Sequence, residues 1–270
     1  MIRICYSDLD GTFLDHLSYS YKLSLSGYSL LLDRNIPLVF VSSKTFVEIE
    51  QLEFMLNSRS PFIFENGAGV AFADDSGKYS YKLLSNFNSS KLDLVKESLK
   101  QAAKETVFFD EISPEQLAEI SGLSLDRARL SLSRIATLPF YINGSSISFE
   151  EIRKIVLPFD LEITKGGRFY HLVPVGCSKG IALKYIDEYY KKKCNDSVVT
   201  MGVGDSLNDI PMLEMVDYPF LVLKHDGSCL TDTKYKLIDK PGPAGFSEAV
   251  QQFCIDTDTI NINCESSEEI

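Results

Sequence analysis

Short apolar runs alternate with stretches of helical spacing at both ends of this chain, and that alternation restricts its fold more than any other feature. Ile2-Arg-Ile-Cys-Tyr6 is followed by Leu25, Tyr28 and Leu32 at helical spacing, and then by Ile36-Pro-Leu-Val-Phe-Val41. Ile49, Leu52 and Leu56 mark a second helix, and Pro61-Phe-Ile-Phe64 reads as a third buried strand. The rhythm returns near the C-terminus, where Ile181, Tyr185 and Tyr189 share a helical face ahead of the strand Val198-Val-Thr-Met-Gly-Val203 and another from Asp217 to Leu223. Strands that are apolar throughout are buried on both faces, so the pattern predicts an α/β fold with a parallel sheet covered by helices on both sides.

Residues 85–167 change character: charged helical stretches alternate with short strand candidates such as Phe140-Tyr-Ile142 and Leu161-Glu-Ile163. This segment is expected to be an α+β cap inserted into a discontinuous core of residues 1–84 and 168–255, with 256–270 a flexible acidic tail. At 270 residues and 44% hydrophobic content, the chain is long enough to bury a substantial core. Its net charge of -11 argues against a nucleic-acid binder, although an anionic substrate held by a metal and a few local cations remains compatible with it. The six cysteines show no close pairing and are expected to be free thiols. No signal segment precedes the first strand and no apolar run reaches membrane length, so a soluble cytoplasmic protein without membrane partners is expected. Oligomeric state leaves no mark in the sequence.

Chemistry concentrates at two strand ends. Asp8-Leu-Asp-Gly-Thr12 follows the first strand, at the carboxyl edge where α/β sheets bind ligands, and Gly11 lets the chain turn so that both acids converge. Gly202-Val-Gly-Asp-Ser-Leu-Asn-Asp209 follows the strand from Val198 and is expected at the same edge. Hard oxygen ligands from two strand ends suit magnesium. Phosphoryl transfer further requires cations and small donors, which Lys179 at a helix start and Ser42 and Ser43 at a strand end offer. Each has an ordinary alternative: a solvated lysine for Lys179, a helix N-cap for Ser42 and an Asp-Gly turn for the first motif.

Asp8-Leu-Asp-Gly-Thr12, Ser42, Lys179 and Gly204-Asp-Ser-Leu-Asn-Asp209 match in order and spacing the four motifs of the haloacid dehalogenase (HAD) superfamily, and the position of the cap resembles its α+β (type IIB) subfamily. The resemblance implies a Rossmann-like core and a magnesium-dependent phosphatase. In it Asp8 is the nucleophile, Asp10 the general acid and base, and Ser42 and Lys179 bind phosphate. Asp8, Asp205 and the main-chain carbonyl of Asp10 hold the metal. Asp209 is expected to orient Lys179 or the metal shell, with Asn208 in either role.

Within the superfamily, Leu14-Asp-His16, Ser42-Ser-Lys-Thr45, Glu65-Asn-Gly-Ala68, Gly166-Gly-Arg-Phe-Tyr-His-Leu172 and Asn208-Asp-Ile-Pro-Met-Leu-Glu214 resemble the mannosyl-3-phosphoglycerate phosphatases. That branch would release mannosylglycerate from a small phosphorylated sugar-glycerate substrate. Substrate binding is then expected from Ser43, Lys44, Asn66, Arg134, Arg168, Asn208 and Asp209. Arg168 is suited to grip a carboxylate bidentately. Asn66 is suited to a substrate hydroxyl or a metal-bound water, unless Asn66-Gly67 is simply a hairpin turn. Ile135, Thr137 and Leu138 depart from the branch pattern beside Arg134, which leaves a glucosyl analogue or a broader set of sugar phosphates open as substrates. His171 is expected to be held by structural hydrogen bonds. The reading from a different class is a catalytically silent regulator that binds a phosphorylated metabolite; the presence of both Asp8 and Asp10 speaks against it, because binding alone does not require two acids.

Overall fold

The computed structural model describes residues 1–265 apart from 86, 88–90, 145–146, 167–168 and 231–233, and the backbone alone for 259–265. The chain runs through β1 (Ile2–Ser7), α1 (Leu25–Asp33), β2 (Leu38–Phe40), α2 (Phe46–Met55), β3 (Phe62–Phe64), β4 (Gly69–Ala73) and β5 (Tyr79–Leu83). It continues with α3 (Leu92–Ala102), β6 (Thr106–Phe108), α4 (Pro114–Ser121), α5 (Leu125–Leu132), β7 (Leu138–Ile142), α6 (Phe149–Val156), β8 (Leu161–Gly166) and β9 (Phe169–Pro174). The last part holds α7 (Lys179–Cys194), β10 (Val198–Gly204), α8 (Ile210–Leu213), β11 (Tyr218–Leu223), β12 (Lys236–Pro241) and α9 (Gly242–Glu265). Two compact units result, residues 1–41 with 187–270 and residues 42–186.

The first unit carries the expected parallel sheet, in the order β12-β11-β10-β1-β2. Cys5, Tyr6, Met201 and Val203 on its central strands are fully buried, as apolar strands covered on both faces must be. On α1 the buried positions are Gly27, Tyr28 and Leu31, whereas Leu25 and Leu32 are exposed. Of the expected stripe Leu25, Tyr28 and Leu32, only Tyr28 faces inward, and the stripe is rotated because Gly27 packs on Ser247 of α9. Phe13 stands edge-on to Phe40 and Phe246 at 4.9 and 5.1 Å between centroids, which ties the loop after β1 to the core.

The segment expected to fray from 256 is helical through Glu265. Its beginning is held by Arg3, whose Nη1 donates to Thr257 Oγ1 at 3.0 Å and Asp258 Oδ1 at 2.7 Å, with Arg34 on the other carboxylate oxygen. Two arginines distant in sequence thus capture one carboxylate, Asp258, in a stretch that looks like a solvated tail when read alone.

In the second unit the buried strand β3 pairs with β4 in an antiparallel three-stranded sheet with β5, rather than joining the parallel sheet. The Asn66-Gly67 turn reverses the chain after only three strand residues, so the nearest partner for β3 is the strand that follows it. A four-stranded antiparallel sheet, β6-β7-β9-β8, packs α3 and α6 through Val95, Leu99, Phe108, Phe140, Ile152 and Val156. It extends to Pro174, past the boundary expected at 167, because β9 is the strand that separates β7 from β8. On α7 the buried residues are Lys179, Gly180, Ala182, Leu183 and Ile186, while Ile181 and Tyr185 are exposed, so the burial runs beside the stripe the large side chains marked.

Candidate active site

The residues of the two acidic motif loops belong to the first unit. The pairing of β1 with β10 sets Ser7 opposite Val203, so the two motif loops leave adjacent strands at the same end. Asp8 still takes part in the ladder, its amide donating to Val203 O at 3.0 Å. The chain then curls tightly: Leu14 N donates to Leu9 O at 2.7 Å and Gly11 N to Leu14 O at 2.9 Å. Gly11 adopts φ +84°, a conformation costly for residues with a β-carbon. A β-carbon there would also stand 2.7 Å from Asp205 Oδ2, so the glycine admits the second acidic loop.

Asp8, Asp205 and Asp209 are all buried and bring one carboxylate oxygen each within 4.8 Å of the others. Asp209 is fixed from behind, its Oδ2 accepting from the amides of Asp205 and Ser206 at 3.1 and 3.0 Å. Ser206 Oγ also donates to Asn208 Oδ1 at 2.6 Å, which braces the loop locally. Three buried carboxylates at this separation repel one another unless protons or a cation offset their charge, and hard oxygen donors fit a divalent ion such as magnesium. Asp209 was expected in an orienting role; its carboxylate is a member of the cluster itself, whereas that of Asp10 is not.

The polar residues of the second unit are arranged around the turn after β3. Ser42 is buried, donates its amide to Ile63 O and accepts the Asn66 amide at 2.9 Å. It does not cap α2. That role falls to Thr45, which forms a reciprocal capping box with Glu48, because the helix begins only at Phe46. Lys44 lies 3.6 Å from Glu48 Oε1, one turn further on. The turn is a hairpin connection, as the Asn-Gly alternative anticipated, and Asn66 (φ 59°) sits in the left-handed region. Gly67 packs so closely on Ser178 and Lys179 that a β-carbon would fall 2.1 Å from Ser178 O. Lys179, at the start of α7, is itself only 1% exposed, which removes the solvated-lysine alternative.

Glu65, a residue the motif reading passed over, organises the loop before β7. Fully buried, it accepts from the amides of Ile135 and Ala136 at 2.9 and 3.1 Å and from Thr137 Oγ1 at 2.6 Å. Arg134 stands at the start of the same loop, donating from Nη1 to Ser43 O at 3.0 Å and Thr137 Oγ1 at 3.1 Å and from Nε to Ser131 O at 3.2 Å. Burial pulls the guanidinium pKa down, and the charges of Glu65 and Glu48 oppose that pull. Ile135, Thr137 and their neighbours thus replace the branch pattern with a loop held by one carboxylate. The sequence signal for Glu65 was its position at a strand end beside Asn66-Gly67; its partners lie some seventy residues away and carry no pattern pointing back to it. Arg168 lies outside the described residues.

A family model for haloacid dehalogenase-like hydrolases matches residues 5–118 and 137–226. The chain is 34% identical over 249 residues to the glucosyl-3-phosphoglycerate/mannosyl-3-phosphoglycerate phosphatase of Persephonella marina, covering 88% of this chain and 89% of the relative. It is 32% identical over 264 residues to the protein of the same name from Methanococcoides burtonii, covering 93% and 96%. Among solved structures, a phosphatase of the HAD superfamily from Bacteroides thetaiotaomicron superposes with a TM-score of 0.67 at 19% identity, covering 94% and 96% of the two chains. The fold, the spacing of the motif loops and these relatives agree: this chain belongs to the haloacid dehalogenase-like hydrolases and is a phosphatase of that family.

Proposed function

We propose that the chain is a magnesium-dependent phosphomonoester hydrolase that acts through an aspartyl-phosphate on Asp8 and takes a glycosyl-3-phosphoglycerate as substrate. The observation that carries this reading is the convergence of buried Asp8, Asp205 and Asp209 at the ends of β1 and β10. Asp8 and Asp205, with the main-chain carbonyl of Asp10, are the residues proposed to hold magnesium. When bound, the ion supplies positive charge that offsets the charge of the transferring phosphoryl group.

The Asp8 carboxylate attacks phosphorus, and Asp10 donates a proton to the departing alkoxide oxygen. Asp10 then takes a proton from the water that cleaves the acyl phosphate, restoring both carboxyl groups. Ser42 and Lys179 are proposed as phosphate binders by their match to the family motifs. Ser43, Lys44, Asn66, Arg134, Arg168 and Asn208 are proposed to bind the remainder of the substrate, and Asp209 to support the metal shell.

Two relatives at above 30% identity whose names pair the glucosyl and mannosyl compounds support activity on both sugars. The products would be glycosylglycerates, compatible solutes made in the cytoplasm. The different loop at Ile135, Thr137 and Leu138 favours a second, broader reading in which other sugar phosphates also turn over. Phosphate release should be measured from mannosyl- and glucosyl-3-phosphoglycerate and a panel of sugar phosphates, with magnesium and with chelator. Magnesium-dependent preference for the glycosyl phosphoglycerates is expected. Release spread evenly over the panel would replace that substrate with the broader class, and no release from any would overturn the enzymatic reading.

A further inference from the structure

His171 was expected to be held by structural hydrogen bonds, and its Nδ1 makes none. It lies on β9 between Pro139 of β7 and Thr164 of β8, is 6% exposed, and its Nδ1 is buried without a hydrogen-bond partner. An orphaned buried ring nitrogen is unfavourable unless something completes it. Asn66 has the same defect: it is 4% exposed and both Oδ1 and Nδ2 lack partners. The turn that carries it packs against Ser178 and Lys179. Lys179 and Arg134 are also the two cations whose fields reach His171 and, after burial itself, hold its pKa well below the ordinary value. The imidazole is thus neutral at physiological pH, with one nitrogen able to donate and the other to accept.

The second unit therefore holds two kinds of polar group. The cations Arg134 and Lys179 suit an anion. The neutral atoms of His171 and Asn66 suit a neutral group that both donates and accepts. A hydroxyl does both, whereas a carboxylate or phosphate oxygen only accepts. We infer that His171 Nδ1, together with the Asn66 carboxamide, receives the hydroxyl groups of a sugar carried by the substrate, making His171 a specificity-determining residue that selects glycosylated phosphoesters over bare ones. The inference deepens the proposed function and rests on its phosphatase chemistry, but it requires only that the substrate carry a sugar.

The test compares wild type, His171→Phe and His171→Asn on the best glycosyl phosphoester of the panel and on p-nitrophenyl phosphate, which has no sugar. The readout is the ratio of the two kcat/KM values, which a partly unfolded preparation leaves unchanged. The phenylalanine variant should lower the ratio about 10- to 100-fold, chiefly through KM for the sugar ester, as expected for a lost buried hydrogen bond. The asparagine variant, which keeps a polar atom near the Nδ1 position, should recover most of it. An unchanged ratio in the phenylalanine variant, an equal loss in both variants, or a wild type without preference for sugar esters would each overturn the inference. A wild type that prefers a sugar phosphate outside the phosphoglycerates would reject the proposed substrate and still leave His171 tested on that ester.

Discussion

Gly11 and Asp205 approach so closely that a β-carbon at position 11 would lie 2.7 Å from the Asp205 carboxylate. The glycine is needed twice over, for its φ of +84° and for the room it leaves to the second acidic loop. Gly11→Ala is expected to push the Asp205 carboxylate aside. Because the obstructing atoms belong to a movable side-chain end, the fold should survive with a loss of about 1–2 kcal/mol. The kcat should fall at least about tenfold, since a small displacement in a phosphoryl-transfer site is costly. Melting and turnover measured on the same preparation check the split.

Asp209 both joins the carboxylate cluster and tethers the amides of Asp205 and Ser206. Asp209→Asn keeps the size but replaces one acceptor oxygen with a donor NH2 and removes the charge. Magnesium activation curves should shift to concentrations about 10- to 100-fold higher, the usual scale for a disturbed metal surround. An unaltered curve would show that Asp209 has only a structural role.

Glu53 is buried, its Oε1 has no partner, and desolvation raises its pKa to about 8 against hydrogen bonds from Ser58, Tyr79 and Ser60 that lower it. With the folded pKa above the unfolded one, the stabilising contribution is complete below about pH 4.5 and is lost as pH rises towards 8. The limiting slope is about 1.4 kcal/mol per pH unit between those values. Urea unfolding at pH 5.5 and pH 8 should show Glu53→Gln gaining stability relative to wild type at the higher pH, with a flatter profile between the two.

Glu65 satisfies three donors of the loop at 135–137, one of them the hydroxyl that also receives Arg134. Glu65→Ala strands those donors and removes the negative charge facing Arg134, so a destabilisation of about 3–5 kcal/mol is expected. Glu65→Gln, which retains one acceptor, should cost less in chemical denaturation. In the glutamine variant KM for the preferred substrate should rise more than kcat falls, because the loop sets the Arg134 side chain rather than the reacting atoms.

The parallel sheet, the acidic loops at the ends of β1 and β10, and the buried strand β3 were all legible in the sequence, because a strand buried on both faces must be continuously apolar and the acidic motifs follow β1 and β10 at short, fixed spacing. Family membership was legible for the same reason, the motifs being local. The faces of α1 and α7 were misread where exposed Leu25, Leu32, Ile181 and Tyr185 outweighed small residues that lie inside. Only the tertiary structure decided that β3 turns back on β4, that Arg3 and Arg34 hold the start of the supposed tail, that Glu65 binds a loop seventy residues away, and that His171 is buried with an unsatisfied nitrogen. Each of these depends on which distant groups come to share a low-dielectric space, and hydrogen-bond partners across such separations leave no periodicity in the chain that supplies them.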